Sequence, residues 1–483
     1  MPQIEITSTP AQSGRRSVQP ALWSRQSPMN DTIARLLMIL VAVAPVPLGS
    51  NRGFFWAVTA VAVGLIGILF AYWLGRLGEP ARYGIRHMRL SAILAVPLAL
   101  FLVLQTIPFD LLGPWADMVR QQFQIVTPAG VVLTPGTISL APQVTWLMLM
   151  RLVTYAVFYL LMLQVSTNQR RKAFVLNASL AIVTCYAVYG FVSLVQLGDT
   201  ILGVPKWAYV GSATATFVNR NSFATFLAFG SVVAMALTIG KLVPTDDDEE
   251  SGSAIRRFDP TILLYVLAYA IIVAALFATQ SRMGFAAAMV GSLVIIVIGF
   301  THAGGRSRLL ALLVLLALAT ALGFFTYGQG LLERLGSVEN ASDVRLDLYA
   351  QVLQMILARP LVGYGGGSFE LAFPLFHQAP VNADMVWDKA HNTYLALWVE
   401  LGVIAGSIPI LLLLLAGVRI VAGLGRVRED WSAKLAGLGV LVVGATHSLV
   451  DFSLEIQANT LLFLAIIATA VAGLARSSHH PTR

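Results

Sequence analysis

His391 is the residue of this sequence best placed for acid–base chemistry. It stands at the predicted start of a membrane-spanning helix, directly after a long loop. A free imidazole titrates near neutral pH and can therefore take a proton from a hydroxyl group. Asp388, three residues earlier, is positioned to orient the imidazole or to cap the helix. The alternative is a histidine that is only hydrogen-bonded to loop backbone, and spacing does not exclude it.

Four arginines lie inside or at the edge of predicted spans, where a charge without a partner is costly. They are Arg151, Arg220, Arg282 and Arg345. A guanidinium presents forked donors that match phosphate oxygens, so the set predicts an anion-binding site. For any one of them, the alternative is an ion pair with a nearby carboxylate: Asp347, Glu370, Glu400 or Asp451.

The sequence carries no motif for a metal or a nucleotide. No pair of histidines at helical spacing accompanies an acid, and no Asp-x-Asp stands in a predicted outer segment. Walker-type and dinucleotide glycine motifs are also missing from the chain. The single cysteine, Cys185, falls in an apolar span. We therefore predict no metal and no cofactor, so the substrate itself must supply the energy of any reaction.

The elements that must position these residues are membrane-spanning helices. Of 483 residues, 57% are hydrophobic and 12% are charged, and the mean hydropathy is +0.76. This number of apolar side chains exceeds what the core of one soluble domain can bury. About 12 stretches approach the roughly 20 apolar residues that a spanning helix needs. They are 32–49, 54–74, 90–109, 143–165, 171–195, 214–239, 260–279, 283–301, 309–328, 391–418, 433–450 and 456–475.

The basic residues predict the orientation of these helices. The chain has a net charge of +8, and most of its 32 Lys and Arg residues fall in alternate connections, which are then cytoplasmic. Both termini are expected in the cytoplasm, and the long loops 110–142 and 329–390 are expected in the periplasm. The basic surplus is thus a topology signal and does not indicate nucleic acid binding. The expected location is the inner membrane of a bacterium.

These features predict an all-α, polytopic integral membrane protein with a large periplasmic loop that contains short helices. The predicted segments are a disordered cytoplasmic tail at 1–30, transmembrane helices 1–9 at 31–328, the periplasmic loop at 329–390, transmembrane helices 10–12 at 391–475 and a cytoplasmic tail at 476–483.

The large loop shows internal structure. Apolar residues such as Leu348 and Val352 recur at helical spacing from a predicted cap at Ser342 to the residue before Pro360. This helix is expected to lie along the membrane surface. A flexible glycine-rich turn at 363–367 follows it, and an aromatic segment comes next.

Several sequence blocks resemble the O-antigen ligase and O-antigen polymerase family. They are Thr-Phe-Val-Asn-Arg-Asn-Ser-Phe-Ala at 216–224, Ser-Arg-Met-Gly at 281–284, and 345–349 followed by Arg-Pro-Leu-Val-Gly-Tyr-Gly at 359–365. The most specific block, 391–402, fits that family's pattern of a histidine, ten residues and a glycine. The resemblance covers roughly residues 210–470, whereas the first half of the chain matches in hydropathy alone.

The resemblance implies a GT-C-like, metal-independent, inverting glycosyltransferase that uses a polyprenyl diphosphate-linked glycan on the periplasmic face. Carried over to this chain, His391 is the base, Arg282 and Arg345 bind the phosphates, and Arg220 supports them. The remaining residues of the predicted binding set are Asn219, Asn221, Tyr349, Asp388 and Asn392.

One departure leaves the activity open between two types. The family's ligases often show an arginine, three residues and a leucine, whereas Tyr349 stands at that place after Arg345. The acceptor is then either lipid A core, as for a ligase, or a growing glycan, as for a polymerase of O-antigen or exopolysaccharide. The alternatives from other classes are a lipid-linked glycan flippase or transporter and a non-catalytic polysaccharide assembly protein.

Overall fold

The structure, a computed structural model, describes residues 28–77, 81–242, 259–302, 338–382, 384, 386–424 and 430–477. Its helices are α1 (Pro28–Val43), α2 (Gly53–Leu77), α3 (Arg89–Gln105), α4 (Ala116–Gln122), α5 (Pro142–Val165), α6 (Gln169–Val195), α7 (Arg220–Leu242), α8 (Thr261–Ala278), α9 (Arg282–His302), α10 (Val338–Ala358), α11 (Phe369–Ala372), α12 (Thr393–Gly423), α13 (Trp431–His447) and α14 (Gln457–Ser477). Two short antiparallel pairs, Ile125–Val126 with Val132–Leu133 and Thr200–Ile201 with Val204–Pro205, lie in loops.

Seven helices among the described residues are long and apolar enough to cross a membrane. They are α2, α5, α6, α7, α8, α9 and α12. The number becomes eight if Arg89–Gln105 and Phe109–Gln122, bent by 76° at their junction, form one broken span. The chain is therefore a helical, multi-pass membrane protein.

The structure does not confirm the number of about 12 spans. Every predicted span except one overlaps a helix, but several of these helices, such as α1 and α13, are shorter than a full span. The exception, 309–328, lies outside the described residues, as does most of the tail 1–30.

Helix α7 forms the centre of the bundle. In its most apolar stretch of 18 residues, 94% of the residues are buried. Helices α6, α8, α9 and α13 pack around it. Small residues allow this close packing, as they commonly do between membrane helices. A Cβ atom at Gly284 of α9 would lie 2.4 Å from the Cβ of Ala224 in α7. The N-terminal ends of α7 and α9 are therefore held next to each other.

The large loop folds back on itself around helix α10. Leu348, Val352 and Met355 are fully buried in a cluster that includes Tyr364 and Phe373. The opposite side of α10 exposes Leu346, Leu353 and Leu357. One apolar face of α10 is thus buried, whereas the second is exposed.

The start of α10 differs from the prediction, and its end agrees. The helix begins at Val338, so the prediction that Ser342 caps it is wrong. No proline or glycine stands between these two residues to stop the helix from extending backwards. The helix ends at Ala358, before Pro360, as predicted.

A break in α12 joins this helix to the glycine-rich turn. Gly402 has φ +73° and ψ +164°, so the helical hydrogen bonds are interrupted there. The backbone N–H groups of Tyr364 and Gly365 donate to the carbonyls of Val399 and Glu400 at 2.9 Å each. Buried Gln105 donates to the Glu400 carbonyl at 3.0 Å. The backbone carbonyls that the break leaves without helical partners are therefore hydrogen-bonded to other protein groups, as apolar surroundings require.

We expect Gly402→Ala to lower the free energy of unfolding by about 1–3 kcal/mol, because its backbone is left-handed. A Cβ atom there would also lie 2.3 Å from the Leu361 carbonyl oxygen. The measurement is the melting temperature of the purified protein in detergent. Gly64→Ala in α2 is the control, because its Cβ meets nothing within 4 Å. Equal melting temperatures for the two variants would contradict this account of the break.

Candidate active site

His391 lies in the loop immediately before α12 and is held there by its neighbours. Asn392 caps the helix, since its side-chain oxygen accepts the N–H groups of Tyr394 at 3.0 Å and Leu395 at 3.1 Å. The N–H of Thr393 donates to the carbonyl of Ser448 at 3.0 Å. His391 itself has φ +50°, a left-handed conformation that only a constrained backbone keeps. Its side chain is 26% exposed.

The carboxylate next to His391 belongs to Asp451. Its Oδ1 lies 3.8 Å from His391 Nδ1, and its side chain is only 2% exposed. Asp451 stands in the turn between α13 and α14, and Ser453 donates a hydrogen bond to its Oδ2. Burial by itself raises the pKa of Asp451, but His391, His447 and Ser453 outweigh burial and lower it. The carboxylate is therefore ionised at neutral pH.

A second histidine lies on the other oxygen of the same carboxylate. His447 Nδ1 is 3.8 Å from Asp451 Oδ2 and 3.0 Å from the Thr225 hydroxyl, and the side chain is 1% exposed. Asp451 is thus placed between two imidazoles, of which only His391 reaches the surface. The sequence analysis did not use His447, although its spacing of four residues from Asp451 was a signal.

Tyr349 connects the loop helix α10 to the histidine. Its hydroxyl donates to the backbone carbonyl of His391 at 2.8 Å and contacts that of Leu449 at 3.4 Å. Burial raises the pKa of this phenol. Tyr349 therefore fastens the strained His391 backbone, and its predicted contact with the substrate stays a prediction.

Arg220 and Arg345 lie within electrostatic reach of the same phenol, that of Tyr209. The Arg220 guanidinium is 5.2 Å from the Tyr209 ring. Burial raises the pKa of Tyr209, and the charges of Arg220, Asp451, Arg345 and Asp388 all act on it. The two arginines are therefore on the same side of the molecule as the Asp451 carboxylate.

Asn219, Asn221 and Arg282 stand where α7 meets α9. The Asn219 side chain accepts the N–H of Asn221 at 2.7 Å. The Ser281 hydroxyl donates to the Asn221 side chain at 2.9 Å, and Arg282 follows as the first residue of α9. Asn221 thus links the two helix ends that carry Arg220 and Arg282, and Asn219 bonds to the backbone at the start of α7.

Asp388 does not have the position beside His391 that its spacing suggested. It is exposed, and the predicted roles of orienting the imidazole and capping the helix fall to Asp451 and Asn392. The physical reason is that the chain turns at Trp387–His391, whereas Asp451 is brought in from a turn sixty residues later. Asp388 stays a prediction for acceptor binding.

Arg151 belongs to a different set of contacts. Its guanidinium lies 4.0 Å from the centre of the Trp56 ring and donates to the Glu455 carbonyl at 2.6 Å. The Glu455 carboxylate pairs with Lys389 at 3.0 Å and raises the pKa of that lysine. These contacts tie the segment before His391 to the turn before α14, so the role of Arg151 is structural.

Within the part of the chain that the structure describes, no group of three or more His, Cys, Asp or Glu side chains is arranged to hold a metal ion. The Glu400 side chain instead accepts a hydrogen bond from the backbone N–H of Phe369 in the loop at 3.4 Å. The site therefore consists of an imidazole backed by a carboxylate, with two arginine-bearing helix ends and Arg345 nearby.

Comparison with known proteins assigns part of the chain to a family. No curated protein sequence matches the chain. Residues 267–410 match the family model described as O-antigen ligase, and this segment contains Arg282, Arg345 and His391. Arg220 and Asp451 lie outside it. This segment is therefore similar to the O-antigen ligase family, in agreement with the resemblance of the sequence blocks.

Proposed function

We propose that this protein transfers a glycan from a polyprenyl diphosphate carrier to a hydroxyl acceptor at the His391 end of the helix bundle. The observation that carries the proposal is the contact between His391 and buried Asp451, within reach of Arg220 and Arg345. The family match over 267–410 supports the substrate class in general. In the proposed orientation both termini are cytoplasmic in a bacterial inner membrane, and the loop 329–390 is periplasmic.

His391 is the proposed base. Asp451 lies on the Nδ1 side of the imidazole, and a carboxylate there favours the tautomer that keeps the proton on Nδ1. Nε2 is then the nitrogen that accepts the proton of an acceptor hydroxyl. The ionised carboxylate also stabilises the imidazolium formed by this proton transfer. The separation of 3.8 Å is long for a hydrogen bond, as is common in sites without substrate.

The arginines are the proposed partners of the diphosphate. A diphosphate is already a good leaving group, so the site needs positive charge to stabilise it more than it needs a general acid. Arg282 and Arg345 bind the phosphates, and Arg220 supports them. The activated hydroxyl attacks the anomeric carbon from the face opposite the diphosphate, which inverts that centre, and no metal is required.

Asn219, Asn221, Asp388 and Asn392 complete the proposed substrate-binding region. The structure gives three of them positioning contacts, so their effect on the substrate is expected to be indirect. The apolar stripe Leu346, Leu353 and Leu357 of α10 rests on the membrane surface in this proposal. The loop helix then covers the site from the side of the water phase.

The first experiment is a transfer assay with the purified protein in lipid vesicles. A lipid-linked glycan and lipid A core, or lipid-linked repeat units alone, are supplied, and new glycosidic bonds are detected by mass spectrometry. Deletion in the native bacterium distinguishes the two types of enzyme. Unlinked polymer that accumulates on its carrier means a ligase, and single repeats mean a polymerase.

We expect Arg345→Gln to lower kcat/KM for the lipid-linked donor by about 10–100-fold, because one charge-assisted hydrogen bond is lost. Arg345→Lys should recover part of this loss, since lysine keeps the positive charge but lacks the paired donors of a guanidinium. Initial rates against donor concentration measure both variants. Arg120→Gln is the control, because Arg120 is already paired with Asp117 at 2.9 Å in another loop. An unchanged kcat/KM in Arg345→Gln would remove this residue from the diphosphate site.

A further inference from the structure

A cavity lies at the end of the bundle opposite His391. It has a volume of about 70 Å³ and is lined by Asp31, Ala34, Arg35, Arg170, Arg171 and Phe174. Helix α13 connects the two ends. Asp430, just before α13, pairs with Lys172 at 2.8 Å, whereas His447 at its other end contacts Asp451. A helix of this length separates the two sites by about 25 Å.

The cavity is positively charged, and one of the arginines that line it has a buried donor without a hydrogen-bond partner. Arg171 is 4% exposed, and its Nε donates to the Val165 carbonyl at 2.7 Å. Its Nη1 reaches Asp31 at 3.1 Å, but its Nη2 is buried with no hydrogen-bond partner. Arg35 and Arg170 add two positive charges against the one carboxylate. An oxyanion in the cavity would balance the excess charge of these arginines.

The N-terminus of α6 adds to the attraction for an anion. Asn168 caps this helix and accepts the N–H of Arg170 at 2.9 Å, next to the cavity. The positive end of the helix dipole thus lies on the same side as the three arginines. Lys172, the next residue, is already paired with Asp430 and is not needed for the site. The space admits several water-sized groups, which is enough for a phosphate group.

Exposed apolar side chains lead away from the cavity along both helices. On α1, Ile39 and Val43 follow Arg35 at intervals of four residues and are 57% and 53% exposed. On α6, Phe174 lines the cavity and is 39% exposed, and Val188 farther along is 45% exposed. A charged cavity that continues into an apolar surface matches a phosphate headgroup with attached acyl chains.

We infer that the cavity between the starts of α1 and α6 binds the phosphate group of an anionic phospholipid. This lipid site is separate from the proposed transfer site. A lipid bound there holds α1 and α6 together at the end of the bundle opposite His391. A free phosphate compound would share the same polar contacts, but it would leave the apolar stripes uncovered.

The test compares lipid binding in nanodiscs and by native mass spectrometry. The purified protein is offered palmitoyl-oleoyl phosphatidylglycerol or the zwitterionic palmitoyl-oleoyl phosphatidylcholine. We expect preferential retention of phosphatidylglycerol and a loss of affinity of about 30-fold in the double variant Arg35→Gln, Arg170→Gln. This variant keeps the Arg171 contacts with Asp31 and Val165, so folding is preserved. Arg76→Gln is the matched control, an exposed arginine at the end of α2 outside the cavity.

Three results would overturn the inference. The first is equal retention of the two lipids by the unmodified protein, and the second is an equal loss of affinity in the double variant and Arg76→Gln. The third is that millimolar inorganic phosphate raises the melting temperature in phosphatidylcholine nanodiscs and that the double variant abolishes this effect, because this would assign the site to a soluble anion. The readout is lipid binding, so the result is independent of glycan transfer.

Discussion

Replacing His391 with alanine is expected to abolish detectable glycan transfer, with kcat lowered by about 10²–10⁴-fold. Without the imidazole, nothing in the proposed site accepts the proton from the attacking hydroxyl. Donor binding should change little, because the arginines stay in place. Transfer from the lipid-linked donor in reconstituted vesicles measures kcat, and binding of the donor to the purified variant measures its affinity.

His377→Ala is the matched control for this experiment. His377 lies in the same loop, but its Nε2 is 3.1 Å from the Val381 carbonyl and its ring packs on Phe373. Its variant should transfer glycan at nearly the normal rate. Full activity in His391→Ala would exclude the proposed base and favour a non-catalytic assembly protein. A flippase would instead move the lipid-linked sugar across the membrane without a new glycosidic bond.

Asp451→Asn is expected to lower kcat by about 10²-fold, less than the loss in His391→Ala, because the base remains but its tautomer and charge are no longer supported. Donor affinity should change little, because the arginines stay in place. Asp451→Glu should recover part of the rate. The measurements are kcat and kcat/KM in the vesicle assay.

The kcat of the folded fraction, with its partial recovery in Asp451→Glu, separates positioning from mere stability. An Asp451 that only held the fold together would give less folded protein with an unchanged kcat per folded molecule. Asp384→Asn, at an exposed carboxylate of the same loop, is the control and should not change kcat. An unchanged kcat per folded molecule in Asp451→Asn, with the melting temperature reduced, would contradict the role proposed for this carboxylate.

The pattern of the sequence was sufficient to predict the helices and the family. Apolar stretches of about 20 residues are a local property, so the positions of α2, α5 and α12 follow from the order of residues alone. The same holds for the end of α10 before Pro360 and for the blocks around Arg282, Arg345 and His391, which the family match over 267–410 contains. Local patterns were less reliable for helix limits, as the start of α10 at Val338 shows.

Only the tertiary structure decided which groups meet. Spacing favoured Asp388 as the partner of His391, but the fold brings Asp451 there from another turn and places His447 behind it. It also places Arg220 beside the Tyr209 ring, where the charge of Arg345 acts on the same phenol, and it places Arg151 against Trp56. The physical reason is that helix packing sets distances between residues far apart in the chain, whereas hydropathy and motifs report only on neighbours. The sequence by itself determined that this protein lies in a membrane and carries basic and histidine residues in blocks that resemble a known family. Which of these residues lie near one another depended on the packing of α7, α9, α12 and α13.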